Sequence, residues 1–493
     1  MQQIFKPVLL STLLIGATLF SSAQVNKFSD FTKEDLVKDY KLAMDILKKQ
    51  HPNPYKFIDS ATLDKRVDSL MQLALAQQSP LSGVQFSPIY LIRDVHTSCR
   101  FSEDVAKNVL GSMYFFPLPV LIEREKIIVN IKGEAIPFGS EILSVNKQTA
   151  KELIASLAAS TYSDGYSNTG TDRVSGNFQT ILSMKSPDCR EYEISYTEPG
   201  SKAVKKLRLP SLLPSPAFHS TKQAVLPVNQ LARSYWIYSS YEDQNSTGIL
   251  TVNSFNLQES YAYKEFSSFF KEVKKRGCKN VVIDIRSNGG GNPAISALLF
   301  SFLAKESFKN VYNYRTKTID LAYSEYATMD GRKYSDDDIR NNKNFLYQRF
   351  DKDSASGFYI GNARLKEGQM ENFPADKDAF SGNVYVLTGG GTVSAATYFA
   401  TLVQKNKRGI IIGKETGSGE QSTTAAWFVN YQLPLTKFIL TIPMTELNFF
   451  NASTDNGRGV IPDKEVPLEK YLSYVRESKD PEMTFALEYI NGK

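Results

Sequence analysis

Apolar residues recur at helical spacing near the start of the chain, for example at Leu36, Tyr40, Met44 and Leu47. The spacing predicts a first helix that stops at His51-Pro52-Asn53-Pro54, because proline cannot continue a helix interior. A second helix is predicted from Ser60 to Gln78. Beyond residue 110 the period shortens. β-like runs at Ile127–Ile131, Glu141–Ser144 and Glu191–Tyr196 surround a helix-like Thr149–Ala159, and residues 160–190 read as a polar loop rich in Ser, Thr, Gly and Asp. Residues 211–235 carry prolines and little periodicity and read as a linker. From Trp236 the pattern becomes strand (Gly248–Val252), helix (Ser260–Arg276), strand (Lys279–Ile285) and helix (Ala294–Ala304). Such alternation predicts a parallel sheet covered by helices. Tyr-, Lys- and Asp-rich sequence at 306–380 interrupts it and reads as a lid or substrate-binding insertion. Strands resume at Val384–Leu387, Gly409–Gly413 and Phe438–Pro443, and Glu482–Tyr489 is helical.

This divides the chain into a helical region 24–109, a small β domain 110–210, the linker 211–235, an α/β core 236–475 and a helical tail 476–493. Residues 1–23 read as a signal peptide: Lys6 gives a positive start, Pro7 to Phe20 an apolar run, and Ser21-Ser22-Ala23 small residues before Gln24. The apolar run is short for a spanning helix and no cysteine follows it, so the expectation is an exported protein, periplasmic or secreted, with no stable membrane anchor. The net charge of +6 is spread over a long chain with both signs interspersed, which excludes a nucleic-acid footprint. Cys99, Cys189 and Cys278 are widely spaced; one disulfide among them stays open. With no CxxC and no HExxH, no metal and no cofactor is expected.

The chemistry concentrates at VYVLTGGGTVSAATYFA, residues 384–400. A β-branched strand runs into Gly389, Gly390 and Gly391, and Ser394 opens a helix. A serine there is placed for nucleophilic attack, with backbone N–H groups and the positive helix end ready for an oxyanion. The alternative is a plain N-cap. A second strand–glycine turn, NVVIDIRSNGGG at 280–291, could lie beside it on the same sheet edge. Neither turn spells GxGxxG or GxxxxGK[ST], so a nucleotide site is not expected. A serine needs a base, and His96, in Asp94-Val95-His96-Thr97, is the candidate among His51, His96 and His219. His51, beside two prolines, reads as structural, and His219, in the linker, reads as solvent-exposed. Cys99 near His96 is weighed as a thiol nucleophile and set aside as a buried small hydrophobe.

DVHT at 94–97, IDIRSNGGG at 283–291, GTVSAAT at 391–397, IIGKETGSG at 411–419 and GRGVIPDKEV at 457–466 resemble, in this order, the motifs of S41-family serine peptidases, the C-terminal processing (tail-specific) and tricorn-type proteases. The resemblance implies an α/β fold with a ClpP/crotonase-like core sheet and covering helices, alongside the N-terminal helical region. IPFGSEILSVNKQTAKELIASL likewise resembles part of a PDZ domain, making 110–210 PDZ-like. It further implies Ser394 as nucleophile and an oxyanion hole from the N–H groups of Ala395 and Gly290. The lysine of the processing proteases would align at Gly419, with Lys414 several residues early; tricorn-type members use a histidine that His96 matches. The third group aligns at Asn456, with Asp455 beside it and Glu446 and Glu415 as runners-up. The resulting expectation is an exported serine peptidase acting on peptide or protein substrates through an acyl-enzyme. The alternatives are a non-catalytic protein binding peptides or apolar ligands on the same fold, and an esterase or amidase using the same serine.

Overall fold

A computed structural model describes residues 31–492 apart from 162, 168, 216–223, 228–229, 310, 366–369, 371 and 450–454. The signal peptide and His219 lie outside the described residues. The two N-terminal helices run Lys33–Gln50 and Ser60–Ala76. Thr32 and Asp35 form a reciprocal capping box at the start of the first, and it ends at His51 in an extended conformation ahead of Pro52. Leu36, Tyr40, Met44, Leu47, Leu63 and Val67 are buried, and they belong to the same apolar cluster as the strands of the core sheet. The helical region therefore has no core of its own. A short strand, Ser98–Arg100, ties it further to Ile439–Ile442.

The core sheet runs in the order Ile410–Gly413, Asn383–Thr388, Asn280–Asp284, Thr247–Val252, Ile237–Glu242. The first four strands are parallel and the last is an antiparallel edge. Side chains alternate between two buried faces. Leu250, Val281, Ile283, Val386 and Ile411 point into the main core, which also holds apolar residues of helices Glu259–Lys275, Pro293–Ser301 and Ala395–Lys405. Ile249, Val282, Tyr385, Leu387 and Ile412 point the other way, onto Ala486 and Ile490 of the C-terminal helix Pro481–Asn491. Burial on both faces explains why these strands read as continuous apolar runs.

The small β domain is an antiparallel sheet around its own core of Phe116, Ile127, Ile142, Phe178 and Tyr192, consistent with the PDZ-like reading. One expectation fails here: most of the supposed polar loop 160–190 is a helix, Gly170–Lys185. Its apolar residues are sparse, but Val174, Phe178 and Leu182 recur every fourth position and are all buried. The 306–380 segment is also more regular than its sequence suggests. Asn313–Thr316 pairs with Thr445–Asn448 and Ala327–Met329 with Val429–Gln432, so it completes two sheets, and a capped helix, Asp336–Arg349, follows.

Candidate active site

The strand Asn383–Thr388 ends at the three glycines, and Thr392 holds the turn that follows. Its hydroxyl donates to the Ile285 carbonyl and accepts from the Gly389 N–H. Ser394 then takes up φ 58°, ψ −125°, a conformation that costs a non-glycine residue on the order of 1–3 kcal/mol. Its side chain makes no capping hydrogen bond, although it stands at the N-cap of helix Ala395–Lys405. The plain N-cap alternative thus lacks its defining contact. Instead the backbone N–H of Ser394 donates to Ser418 Oγ at 2.8 Å, and Ser418 donates in turn to Thr397.

The two glycine turns meet here. Gly290 adopts φ 99°, and a Cβ on it would lie 2.6 Å from Ser394 Cβ and 3.0 Å from the Ala395 nitrogen. Buried Asn288 pins this turn: its Nδ2 donates to the Val252 carbonyl, and its Oδ1 accepts the Gly290 N–H at 2.9 Å. The Gly290 N–H is therefore occupied. The N–H groups of Ala395 and Gly291 have no partner among the described residues, and both residues line the same cavity as Ser394.

His96 Nδ1 lies 3.3 Å from Thr423 Oγ1, and its Nε2 is buried with no hydrogen-bond partner among the described residues. Thr423 also lines the Ser394 cavity, but no hydrogen bond joins Ser394 to His96 among the described residues. Nucleophile–base contacts are often loose before substrate binds. The Thr423 hydroxyl donates to Asp164 Oδ2 at 2.9 Å; Asp164 also accepts the N–H of Val95 at 2.7 Å and of Gly419 at 2.9 Å. Burial and the neighbouring Asp94 charge push the Asp164 carboxyl up, with His96 opposing. Burial would also raise Asp94, but the hydrogen bond and charge of His51, aided by His96 and Thr97, hold it well below the usual range. His51 Nε2 lies 2.7 Å from Asp94, and His51 Nδ1 accepts the Asn53 N–H. His51 thus anchors the 94–97 segment, the structural part expected of it. Asp94, His96 and Asp164 offer ligand atoms within 4.8 Å of one another. Both carboxylates are, however, already engaged by protein donors, a poor fit to a cation.

None of the remaining candidates is hydrogen-bonded to His96 among the described residues. Asp455 pairs with Lys56 at 2.8 Å and accepts from Ser422 and the Gly457 N–H. Asn456 is exposed and turns back onto the Arg458 N–H. Glu446 is fully buried between Lys56 and Arg315, and Glu415 forms a fork with Arg458. Lys414 is engaged by Glu123 and Asp172, whose charges overcome burial and raise its pKa well above the ordinary value. At Gly419 a Cβ would lie 2.2 Å from the Ser422 carbonyl oxygen, so no lysine fits that backbone. Burial pushes the Cys99 thiol up to about 12, which removes it as a nucleophile near neutral pH. All three cysteines are free thiols. Asp164, Thr423 and Ser418 carried no signal in the sequence beyond being polar residues in buried surroundings.

Beside Ser394 opens a cavity of about 300 Å³ lined by Tyr398, Thr423, Trp427, Phe428, Leu447 and Phe449 among others, with no charged side chain. Trp427 sits 5.5–5.9 Å from the rings of Tyr314, Phe345 and Phe350, so the 306–380 segment shapes this wall. Phe428, 46% exposed, lies 6.0 Å from the His96 ring.

Residues 246–466 match the family model of peptidase family S41. Ser394 and both glycine turns fall within this matched segment, while His96 and Asp164 lie outside it. No curated protein matches the sequence. Among solved structures, a CPAF mutant superimposes with TM-score 0.62 at 13% identity, covering 92% of this chain and 96% of its own. Mature CPAF complexed with lactacystin gives 0.60 at 14%, covering 94% and 99%. Mature CPAF gives 0.59 at 14%, covering 92% and 96%. The likeness is one of fold, and it extends over both chains almost end to end.

Proposed function

We propose that this chain is an exported, serine-type peptidase of the S41 kind in which Ser394 is the nucleophile and His96 the base. The observation that carries the reading is the state of Ser394: a strained residue at a helix N-terminus, its N–H held by Ser418 and its hydroxyl making no capping bond, facing an apolar cavity. Ser394 Oγ attacks the peptide carbonyl while His96 Nε2 takes its proton and passes it to the leaving amine; water then hydrolyses the acyl-enzyme. The N–H groups of Ala395 and Gly291 bind the oxyanion, Gly291 in place of the Gly290 expected from sequence, since the Gly290 N–H is held by Asn288. The uncharged, aromatic cavity favours substrates with a large apolar side chain next to the scissile bond.

The missing hydrogen bond between Ser394 and His96 favours a second reading, a peptide- or apolar-ligand-binding protein on this fold. Fluorophosphonate labelling separates the two. Wild type is expected to label, and Ser394→Ala and His96→Ala to lose labelling while remaining folded. A folded wild type that takes up no label would replace the enzyme reading with the binding one.

A further inference from the structure

The base of a serine peptidase needs a partner that fixes its tautomer and stabilises the imidazolium. We propose that Asp164, delivered by the small β domain, is that partner, and that it acts on His96 through the hydroxyl of Thr423. The inference rests on the assignment of Ser394 and His96 above.

Asp164 is buried and faces three donors: the Val95 N–H on one oxygen, the Gly419 N–H and the Thr423 hydroxyl on the other. A protonated carboxyl would need an acceptor, and these contacts provide none, so this donor set suits the carboxylate. The single Thr423 proton is therefore committed to Asp164 Oδ2. What Thr423 can offer His96 Nδ1 is a lone pair, which places the imidazole proton on Nδ1. Nε2 is then left as the unprotonated acceptor, the state a general base requires, and Nε2 is the buried atom without a partner.

The other acids cannot take this part. Asp94 spends its oxygens on His51, on Thr97 and on the backbone N–H of His96 itself. Asp455 and Glu446 are neutralised by Lys56 on the far side of Ser422, whose side chain alternates with that of Thr423 along the strand Ser422–Ala425. The same three bonds to Asp164 also clamp the His96 segment, the Gly419 loop and the Thr423 strand together. The small β domain thereby becomes part of the site rather than an appendage.

The test is steady-state kinetics on a fluorogenic peptide with an apolar residue before the scissile bond, for wild type, Thr423→Val, Thr423→Ser and Asp164→Asn. Removing the Thr423 hydroxyl should lower kcat roughly tenfold to a hundredfold, part of the 10²–10⁴ that a positioned base supplies, with KM unchanged. Serine should restore it to within about twofold. Asp164→Asn should fall as Thr423→Val does, and the double variant should be no worse than either, since both act by one route. Thr423→Val with wild-type kcat, or Thr423→Ser as slow as Thr423→Val, would overturn the proposal. The Thr423 pair decides it even if Asp164→Asn misfolds. His96→Ala and Ser394→Ala run alongside: their turning over normally would sink the underlying assignment, whereas their inactivity beside a normal Thr423→Val sinks only the relay.

Discussion

Gly290 is the residue on which the site is most sensitive to a single methyl group. Its φ of 99° lies where L side chains rarely go, and a Cβ would press on Ser394 Cβ and the Ala395 nitrogen together. Gly290→Ala is expected to cut fluorophosphonate labelling by more than about a hundredfold, a displacement of the oxyanion donor and nucleophile at once, while the circular dichroism spectrum stays native. Labelling at the wild-type rate in that variant would mean the two turns are not in contact. At this scale the sequence was informative where chemistry is written locally. A serine after a glycine turn and a histidine in a short motif could both be singled out. Asp164, Thr423 and Ser418 could not, because the contacts behind their proposed roles arise only when segments far apart in sequence close on one another. Asp455 and Asn456 show the converse: position next to a motif did not bring either one to His96, since Lys56 and a local turn claim them first.

Elements were legible in proportion to how plainly they alternate. The parallel strands of the core, buried on both faces, stood out, as did the first two helices. The Gly170–Lys185 helix did not, because three buried apolar residues carry it among serines, threonines and glycines. Those few residues should then bear most of its stability. Phe178→Ala, removing a ring packed 5.3 Å from Phe116, is expected to cost about 3–5 kcal/mol in a urea melt. A loss below about 1 kcal/mol would show that the helix is held by its polar contacts, such as the bond from the Gly390 N–H to Asp172. The 306–380 segment was opaque for another reason. Its strands are only two to four residues long, and two of them pair with partners that follow some hundred residues later, as Tyr314 does with Leu447. No local pattern can announce such a pairing.

At the scale of the molecule, the N-terminal helices are fastened to the core by charge as well as by apolar contact. Lys56 enters between Glu446 and Asp455, and Arg315 reaches Glu446 from the opposite side. Burial alone would raise the Glu446 carboxyl; Lys56 and Arg315 hold it down to about 2. A carboxyl whose folded pKa is depressed adds stability above its unfolded value, and that stability drains away as pH falls toward the folded one. The protein should therefore lose melting temperature between about pH 4.5 and pH 2, by an amount worth on the order of 3 kcal/mol from this group. Lys56→Met should remove about 3–5 kcal/mol at neutral pH, because it leaves Glu446 buried with one partner fewer, and should flatten the acid dependence. An unchanged pH profile in Lys56→Met would place the acid sensitivity elsewhere.

The dispersal of the site along the chain also sets a clock. The ribosome makes His96 and Asp164 early, Ser394 late, and Thr423 later still. A strand that closes the substrate cavity, Thr445–Asn448, comes after all of them. Until that last stretch has emerged, the cavity beside Ser394 lacks the side of its wall that carries Leu447. On the proposed function, the order of synthesis would withhold a complete site until the last strands of the core are made.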